Sequence, residues 1–415
     1  MTATYPLRTI GAHELDAWAR MITTTYGQDW YEGGLRNAAS SIEPERTIAA
    51  YDGEEIVGGA SIYGRVMTIP GAAAPVSAPV SVPVAGITLV AVLPTHRRRG
   101  ILTAMMRKQL TDLHESGGEP IAALNAAEAT IYGRFGYGIA SHVAEIQADK
   151  RLMALRPGTD LGDGTIRLLG RQEARPLLEK VYDTARRTAV GWVDRTEKFW
   201  QARLADGERV RDGGTALRFA FHLEPGGEVT GYAFYRSKPR LVQVIEVAAT
   251  TRQSYAALWR YLIDLDAHAG LTYDGAVDEP LKHLLADPRA ARTTVIDNLW
   301  VRLVDVDRAL AARRYSTSLD LVLEVQDTFC PWNAGRHHLR ADSDSVTCER
   351  TRARPDLRLT SAELGAAYLG GTTLASLAAA GRVEELRRGA VAAASLAFRG
   401  EREPFHPSGW AFPAF

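Results

Sequence analysis

The sequence has few cysteines and no excess of charge of either sign. Only Cys330 and Cys348 occur among 415 residues, and lysine plus arginine equal aspartate plus glutamate at 49 each. Two cysteines do not provide the disulfide framework of a secreted protein. The balanced charge argues against a chain built to bind nucleic acid or an anionic membrane, so any site for a polyanion must be local.

Long apolar runs and a basic, apolar leader are also missing. No stretch approaches the roughly 20 apolar residues that cross a bilayer, and the first residues lack the pattern of a signal peptide. We therefore expect a cytoplasmic protein without a membrane partner.

A recognisable metal motif is missing as well. The nearest approach to one is formed by Cys330, His337, His338 and Cys348. Their spacing matches no zinc pattern, and two adjacent histidines in a strand would point to opposite faces of the sheet. We expect no metal ion.

The sequence does contain enough apolar material for several cores, because 46% of its 415 residues are hydrophobic. Alternating strand and helix patterns predict α/β domains over residues 1–150 and 151–300. Strands followed by alanine-rich helices predict an α+β domain over 301–415. In the first domain we expect a helix near 12–26, and a hairpin at Asp52-Gly53. The proline-rich segment 70–83 is expected to form a loop or edge excursion.

The most informative segment runs from Ala91 to Gly100, AVLPTHRRRG. It overlaps the end of the β-branched run Ile87–Val92, which predicts a buried strand. The apolar spacing from Ile101 onward predicts a helix that ends at Gly117. The helix therefore begins at the arginine cluster.

A helix start of this kind can hold a phosphate chain, because about four backbone N–H groups have no partner inside the helix. Gly100 permits close approach of a ligand. Arg97, Arg98 and Arg99 add charge-assisted hydrogen bonds. The strand edge at Val90–Val92 can pair with an amide-bearing arm. Together these features predict a coenzyme A site, and the alternative is a solvated helix start with ordinary surface charge.

The strand followed by R-x-x-G resembles the acyl-CoA signature of the GNAT acetyltransferases. THRRRG together with IYGRFGYG at Ile131–Gly138 is similar to the Eis (enhanced intracellular survival) family of N-acetyltransferases. Further similar segments follow in the same order: LADPRAARTT, NLWVRLVDV and YLGGTTLASLAAAGRV. The resemblance covers the whole chain. It implies tandem GNAT-like domains, a sterol-carrier-protein-like domain that ends in a catalytic C-terminus, and a homohexamer.

The resemblance also implies acetyl-CoA as co-substrate. Its expected contacts are Val90, Ala91, Val92, Arg97, Arg98, Arg99, Gly100, Ile101, Leu102, Thr103, Ala127 and Glu128. In the second domain the corresponding place is occupied by Thr251-Arg252-Gln253-Ser254, with no glycine and one arginine. This predicts a GNAT-like fold that has lost coenzyme binding; the alternative is an unrelated α/β scaffold.

Acetyl transfer to an amine requires a proton donor for the departing thiolate, a base and donors for an oxyanion. Backbone N–H groups near Val90–Val92 are candidates for the last role. The resemblance assigns the acid to Tyr132, since a phenol with a pKa of about 10 stays protonated at neutral pH. Tyr137 is the competing assignment, and simple aromatic packing is a third. The base is assigned to the terminal carboxylate of Phe415, in an apolar surround that raises its basicity. The alternative is a tail packed in a groove.

The resemblance implies a small-molecule amine as acceptor, on an aminoglycoside or a similar polyamine, and hence a link to antibiotic resistance. A protein lysine, another small amine, or a non-catalytic acyl-CoA- or lipid-binding role are the alternatives. Asp29 and Trp30 offer a carboxylate and an aromatic face to a cation, although they also suit a surface loop. Leu89 and Asn125 are placed in the same pocket, where the family has an aromatic residue and a histidine.

Overall fold

Three β-sheets organise the chain in the computed structural model, which describes residues 5–27, 42–71 and 80–407. The expected sites Asp29, Trp30 and Phe415 lie outside the described residues. Within the described ranges, the first two sheets have seven strands each and the third has five.

The N-terminal elements alternate strands with helices. In chain order they are β1 (Leu7–Thr9), α1 (Leu15–Thr25), β2 (Thr47–Asp52), β3 (Glu55–Thr68), β4 (Ser81–Val92), α2 (Ile101–Ser116), β5 (Ile121–Asn125), α3 (Ala129–Tyr132) and β6 (Gly138–Ile139).

The middle of the chain repeats this alternation. Its elements are β7 (His142–Asp149), β8 (Thr165–Leu169), α4 (Arg171–Arg186), α5 (Glu197–Arg203), α6 (Glu208–Arg211), β9 (Arg218–Leu223), β10 (Val229–Lys238), β11 (Leu241–Ala249), α7 (Arg252–Asp264), β12 (Gly270–Gly275), α8 (Leu281–Leu284) and β13 (Ala291–Asp297).

The C-terminal part has short helices around a smaller sheet. Its elements are β14 (Leu299–Leu303), α9 (Val306–Ala312), β15 (Leu319–Gln326), β16 (Gly335–Ala341), β17 (Val346–Arg350), β18 (Leu357–Thr360), α10 (Ser361–Ala367), α11 (Leu374–Ala379), β19 (Glu384–Glu385) and α12 (Ala390–Phe398).

The first two sheets exchange strands where the chain passes between them. The first has the order β1-β2-β3-β4-β5-β14-β6, and the second the order β13-β7-β12-β11-β10-β9-β8. Thus β7, which follows β6 of the first sheet in the chain, joins the second sheet between β12 and β13. In turn β14, which follows β13 of the second sheet, joins the first sheet between β5 and β6. The boundaries at 150 and 300 stay predictions, and the strand exchange couples the two α/β units on either side of them.

The proline-rich segment is only partly a loop. The prediction of a loop or edge excursion is wrong from Ser81 onward, where β4 begins and Pro83 lies opposite Val66 of β3. The pairing of β4 with β5 begins only at Val84. Pro83 therefore lies at a locally free edge, where its missing N–H removes no bond to β5.

Two glycines bring the third unit close to the first sheet. A Cβ at Gly138 would lie 1.9 Å from the carbonyl oxygen of Ala362, and one at Gly365 would lie 2.2 Å from that of Val301. Only glycine permits this approach of α10 to β6 and β14. The end of the IYGRFGYG segment is thereby fixed against the C-terminal unit.

Candidate active site

Strand β4 is bulged where the sequence places the cleft. The register moves from Gly59 opposite Ala91 to Ser61 opposite Thr88, so β4 has one residue more than β3 in this stretch. Leu89 takes the left-handed conformation, with φ of 55°, and its side chain is buried. Leucine is rare in this conformation. The bulge turns the following backbone and bends the strand.

Beyond the bulge, β4 and β5 separate. Their parallel pairing joins Val84–Gly86 to Ile121–Ala123, and β5 then continues to Asn125 beside β14. Across the described residues, no ladder pair connects Ile87–Val92 to β5. The peptide groups on this side of β4 therefore have no partner in β5 among the described residues, and such groups can pair with a ligand that carries amides. The coenzyme contacts at Val90–Val92 stay a prediction.

Helix α2 begins without a side-chain cap at the end of the same strand. Its N-cap residue is Gly100, with φ of 84°, and no side chain accepts from the first turn. A Cβ at Gly100 would meet nothing within 4 Å, so the space in front of the helix is open. The N–H groups of the first turn and the positive end of the helix dipole suit an anion.

The three arginines of the motif have different surroundings. All three are exposed, but Arg99 also donates to the hydroxyl of Tyr5 at 2.7 Å and to the carbonyl of Thr95 at 3.0 Å. These contacts fix the Arg99 side chain against the loop before α2. Arg97 and Arg98 are thus the better placed of the three to reach a bound phosphate.

Tyr132 lies at the end of α3. It is 8% exposed and belongs to the apolar cluster that also contains Val90 and Leu102. Burial raises the pKa of its hydroxyl, and nearby Tyr26 and Glu128 raise it further. The phenol is therefore protonated at neutral pH and can act as a proton donor.

Tyr137 has a different environment from Tyr132, although their rings are 6.0 Å apart. Tyr137 is 1% exposed, and its hydroxyl has no hydrogen-bond partner in the described part of the chain. Burial raises its pKa also. The adjacent Gly136 packs on Arg302, whose Nη1 would lie 2.5 Å from a Cβ there. Tyr137 thus packs in the interior, and Tyr132 is nearer to the cleft.

Tyr26 is a site residue that sequence analysis missed. It follows α1, and its hydroxyl donates to the carbonyl oxygen of Val90 at 3.1 Å. In an extended residue the N–H and C=O point to the same side of the strand. Tyr26 therefore marks the side on which the Val90 N–H is presented. Its position depends on the packing of α1 against β4, for which the local sequence has no signal.

The other predicted coenzyme contacts differ in their burial. Ile101 and Ala91 are buried, Leu102, Val90 and Val92 are half-buried, and Thr103, Ala127 and Glu128 are exposed. These positions stay predictions as coenzyme contacts.

Asn125 is engaged within the protein. Its amide Nδ2 donates to the carbonyl of Asn298 at 2.8 Å, across the junction between β5 and β14. Leu89 is buried in the bulge of β4. A role for either residue in acceptor binding stays a prediction.

Helix α7 is the counterpart of α2 in the second unit, and it is capped. The hydroxyl of Thr251 accepts from the Ser254 N–H at 3.1 Å. The polar side chain thus satisfies an N–H group that a phosphate would otherwise bind. This agrees with the predicted loss of coenzyme binding in this unit.

Neither a metal cluster nor a membrane helix is found within residues 5–27, 42–71 and 80–407. His337 is buried, whereas Nε2 of His338 lies 2.7 Å from Oδ1 of Asp320. As predicted, the two neighbouring imidazoles point to different faces of β16. Both cysteines are buried free thiols.

Comparison with known domains matches all three units. Residues 6–140 and 191–303 each match an acetyltransferase (GNAT) domain, and residues 306–407 match a sterol carrier protein domain. These matches confirm the expected fold class of two GNAT units followed by a sterol-carrier-like unit. The molecule is therefore an acetyltransferase of the GNAT superfamily by its fold.

Whole-chain relatives are more specific. An N-acetyltransferase of Streptomyces avermitilis is 40% identical over 92% of this chain and 96% of its own. N-acetyltransferase Eis of Mycobacterium tuberculosis is 37% identical over 80% of each chain. The crystal structure of Eis1 from Mycobacterium abscessus superposes with a TM-score of 0.82 at 34% identity, and covers 98% of this chain and 100% of its own. The chain belongs to the Eis family of N-acetyltransferases.

Proposed function

We propose that this N-acetyltransferase moves the acetyl group of acetyl-CoA to an amine of a small polycationic acceptor of the aminoglycoside type. The observation that carries the proposal is the cleft between β4 and β5. It combines an uncapped helix start at Gly100 with the buried, protonated Tyr132. The likeness to N-acetyltransferase Eis supports a donor and an acceptor of these classes.

The residues of the cleft fit the coenzyme. Acetyl-CoA supplies the thioester from which the acetyl group is transferred. The first-turn N–H groups of α2 are free of a side-chain cap, and Arg97 and Arg98 are exposed beside them. These groups would hold the phosphates through charge-assisted hydrogen bonds. The open edge of β4 would hold the amide-bearing arm.

Backbone donors of β4 stabilise the developing oxyanion in this mechanism. Val90 presents its N–H on the side where its carbonyl accepts from Tyr26, and this pairing orients the peptide. Loss of one oxyanion donor typically lowers the rate by on the order of a hundredfold. Side-chain substitution of Val90 leaves this donor in place.

Tyr132 supplies the proton for the departing thiolate. Its apolar surround keeps the hydroxyl protonated, and a proton donor of this kind contributes about 100-fold to 10,000-fold to a rate. We assign the base to the terminal carboxylate of Phe415, which lies outside the described residues. Removal of Phe415, or a tag added after it, is expected to lower turnover while leaving coenzyme affinity largely unchanged.

The test measures free-thiol release from acetyl-CoA with a panel of aminoglycosides and lysine peptides. We expect release with aminoglycosides, a fall of about 100-fold or more in Tyr132→Phe, and little change in Tyr137→Phe. The latter is a matched control, because it removes a hydroxyl without a hydrogen-bond partner in the described structure. Equal rates in the native protein and Tyr132→Phe would overturn the acid assignment.

The same panel tests the acceptor class. Activity restricted to peptides would replace the aminoglycoside with a protein lysine, and no release with any amine despite coenzyme binding would overturn the enzymatic proposal. We also propose a homohexamer. A monomeric mass in solution would contradict it.

A further inference from the structure

A second cleft lies in the middle unit, at the place that corresponds to the coenzyme cleft of the first. The strands β11 and β12 pair in parallel from Leu241–Val244 to Gly270–Tyr273. Beyond this pairing, a cavity of about 220 Å³ is lined by residues that include Val247–Ala249 of β11 and Tyr273 of β12. The cavity therefore occupies the gap between two separating strands, as the first cleft does.

One side of this cavity is formed by the C-terminal part of the chain, where Arg402, Glu403 and Phe405 line it. The Phe405 N–H donates to the carbonyl of Val190 at 3.0 Å. Gly191, with φ of 90°, permits the contact, since a Cβ there would lie 3.1 Å from the Phe405 carbonyl oxygen. Because α7 is capped by Thr251, this cavity lacks the phosphate-binding end of a coenzyme site.

A buried carboxylate, that of Glu279, lines the cavity. Glu279 is 5% exposed and accepts hydrogen bonds from the Tyr255 hydroxyl and from the Ala276 N–H. In the described part of the chain it forms no ion pair. The neighbouring acids are already paired, Asp278 with Arg402 at 2.5 Å and Glu403 with Arg399 at 2.9 Å. Burial raises the pKa of Glu279, and this effect outweighs the opposing effects of its two hydrogen bonds and of Arg402.

Aromatic side chains form much of the remaining wall. Trp192, Tyr255, Tyr273 and Phe405 line the cavity together with small alanine side chains. Aromatic faces attract cations, and the attraction increases when the cation is desolvated. Arg402 also lines the cavity, but its guanidinium is paired with Asp278, so a cation that pairs with Glu279 is favoured over an anion.

We propose that this cavity binds a small organic ammonium ion with an apolar body, and that Glu279 is its counter-ion. The ammonium group donates to the carboxylate as a charge-assisted hydrogen bond, and the apolar body packs on the aromatic wall. The site is separate from the acetyl-transfer cleft and does not depend on the function proposed for that cleft.

The test is calorimetric titration of the full-length protein with benzylammonium and with its neutral counterpart, benzyl alcohol. We expect saturable binding of benzylammonium, and binding of benzyl alcohol weaker by about tenfold or more, because the alcohol cannot compensate the carboxylate. Absence of benzylammonium binding would overturn the proposal. Equal affinity for the two probes would also overturn it. This comparison needs no substitution, so it is independent of any folding defect.

Two variants locate the binding. Glu279→Gln keeps the shape of the side chain and is expected to weaken the binding of benzylammonium by about tenfold. Ala249→Leu fills the cavity from β11 and should abolish binding of both probes. Asp212→Asn is a matched control, since its carboxylate pairs with Lys238 at an exposed position of the same unit. If benzylammonium binds with unchanged affinity to both cavity variants, the ammonium ion is held elsewhere, for instance in the acetyl-transfer cleft, and the proposal fails.

Discussion

The first and second GNAT units have the same arrangement of strand and following helix, but their helix starts differ. Helix α2 begins at Gly100, with an open front and no side-chain cap. Helix α7 begins at Thr251, whose hydroxyl caps the helix and also contacts that of Ser254 at 2.9 Å. A capping hydroxyl and a phosphate compete for the same N–H groups. The two frameworks therefore differ, through a few side chains, in the N–H groups that they leave for an anion.

Charge is distributed differently in the two units as well. The first keeps Arg97 and Arg98 exposed at the cleft. The second buries its charge on β11, where Glu246 accepts from Arg195 at 2.8 Å, from Arg203 at 3.1 Å and from the Tyr232 hydroxyl at 2.6 Å. Charges satisfied within the protein are not available to a ligand. The comparison indicates that these buried ionic groups of the second unit serve the structure, whereas Arg97 and Arg98 of the first are exposed to solvent.

Substitution of Glu246 by glutamine is expected to have the largest effect. It leaves Arg195 and Arg203 buried without a counter-charge, and breaking a buried ion pair costs about 3–5 kcal/mol. Urea unfolding at neutral pH should show a loss of this size in the free energy of unfolding. The control Asp212→Asn breaks an exposed pair and should change it by less than about 1 kcal/mol.

The effect of Glu246 should also depend on pH. Burial raises the pKa of Glu246, but Arg195 and Arg203 outweigh burial and lower the pKa to about 2. An unfolded glutamate titrates near about 4.3, so the folded state binds the proton more weakly. The stabilisation is present above that pH and is lost as pH falls toward about 2. A difference between native protein and Glu246→Gln that stays constant across this range would contradict the assignment.

Tyr132 of the first cleft and Tyr255 of the second provide a comparison in activity. Tyr132→Phe should lower turnover by about 100-fold or more, whereas Tyr255→Phe in the second unit should leave turnover within about twofold, since no transition-state contact is lost. Steady-state thiol release measures both. A fall of similar size in the two variants would show that the second cleft takes part in catalysis.

Substitutions at the two helix starts should affect coenzyme affinity unequally. Gly100→Val places a β-branched residue in a left-handed conformation, at a cost of about 1–2 kcal/mol. We therefore expect acetyl-CoA to bind about tenfold more weakly, as measured by calorimetry. Thr251→Gly removes a cap at a cost of a few tenths of a kcal/mol and should leave one coenzyme per chain. A second bound equivalent in Thr251→Gly would show that the cap alone prevents binding there.

The arginines should have the smallest effects. Arg97→Ala and Arg98→Ala each remove an exposed charge, and we expect a loss of about 0.5–1 kcal/mol in coenzyme binding that decreases at high salt. Arg252, with an 85% exposed side chain in the second unit, is the matched control and should have no effect. Salt-independent losses at Arg97 or Arg98 would contradict a charge contact with phosphate.

Local patterns predicted much of the first cleft. The β-branched run before Pro94 and the apolar spacing after Gly100 correspond to the end of β4 and to α2, which ends at Ser116 before a left-handed Gly117. These features depend on neighbours within a few residues, and local propensity describes such neighbours well. The same reasoning underestimated the length of β4, because the absence of a β5 partner beside Pro83 has no local signature.

The parts that prediction missed depend on distant contacts. Tyr26 reaches Val90 across 64 positions of sequence, and β14 enters the first sheet from the end of the second unit. Tyr132 and Tyr137 are similar in sequence context. Only tertiary packing, such as that of Arg302 against Gly136, distinguishes their environments. Periodicity carries no information about such pairs.

The sequence by itself predicted the strand-to-helix motif, the two α/β units, the helix start after Gly100 and the family. Each of these follows from residue types at short spacing, where backbone conformation and hydrogen bonding are local. Only the tertiary structure decided the left-handed turn at Leu89, the exchange of β7 and β14 and the isolated carboxylate of Glu279. Their physical cause is packing between segments far apart in the chain, which can impose a conformation or a buried charge that local preference does not favour.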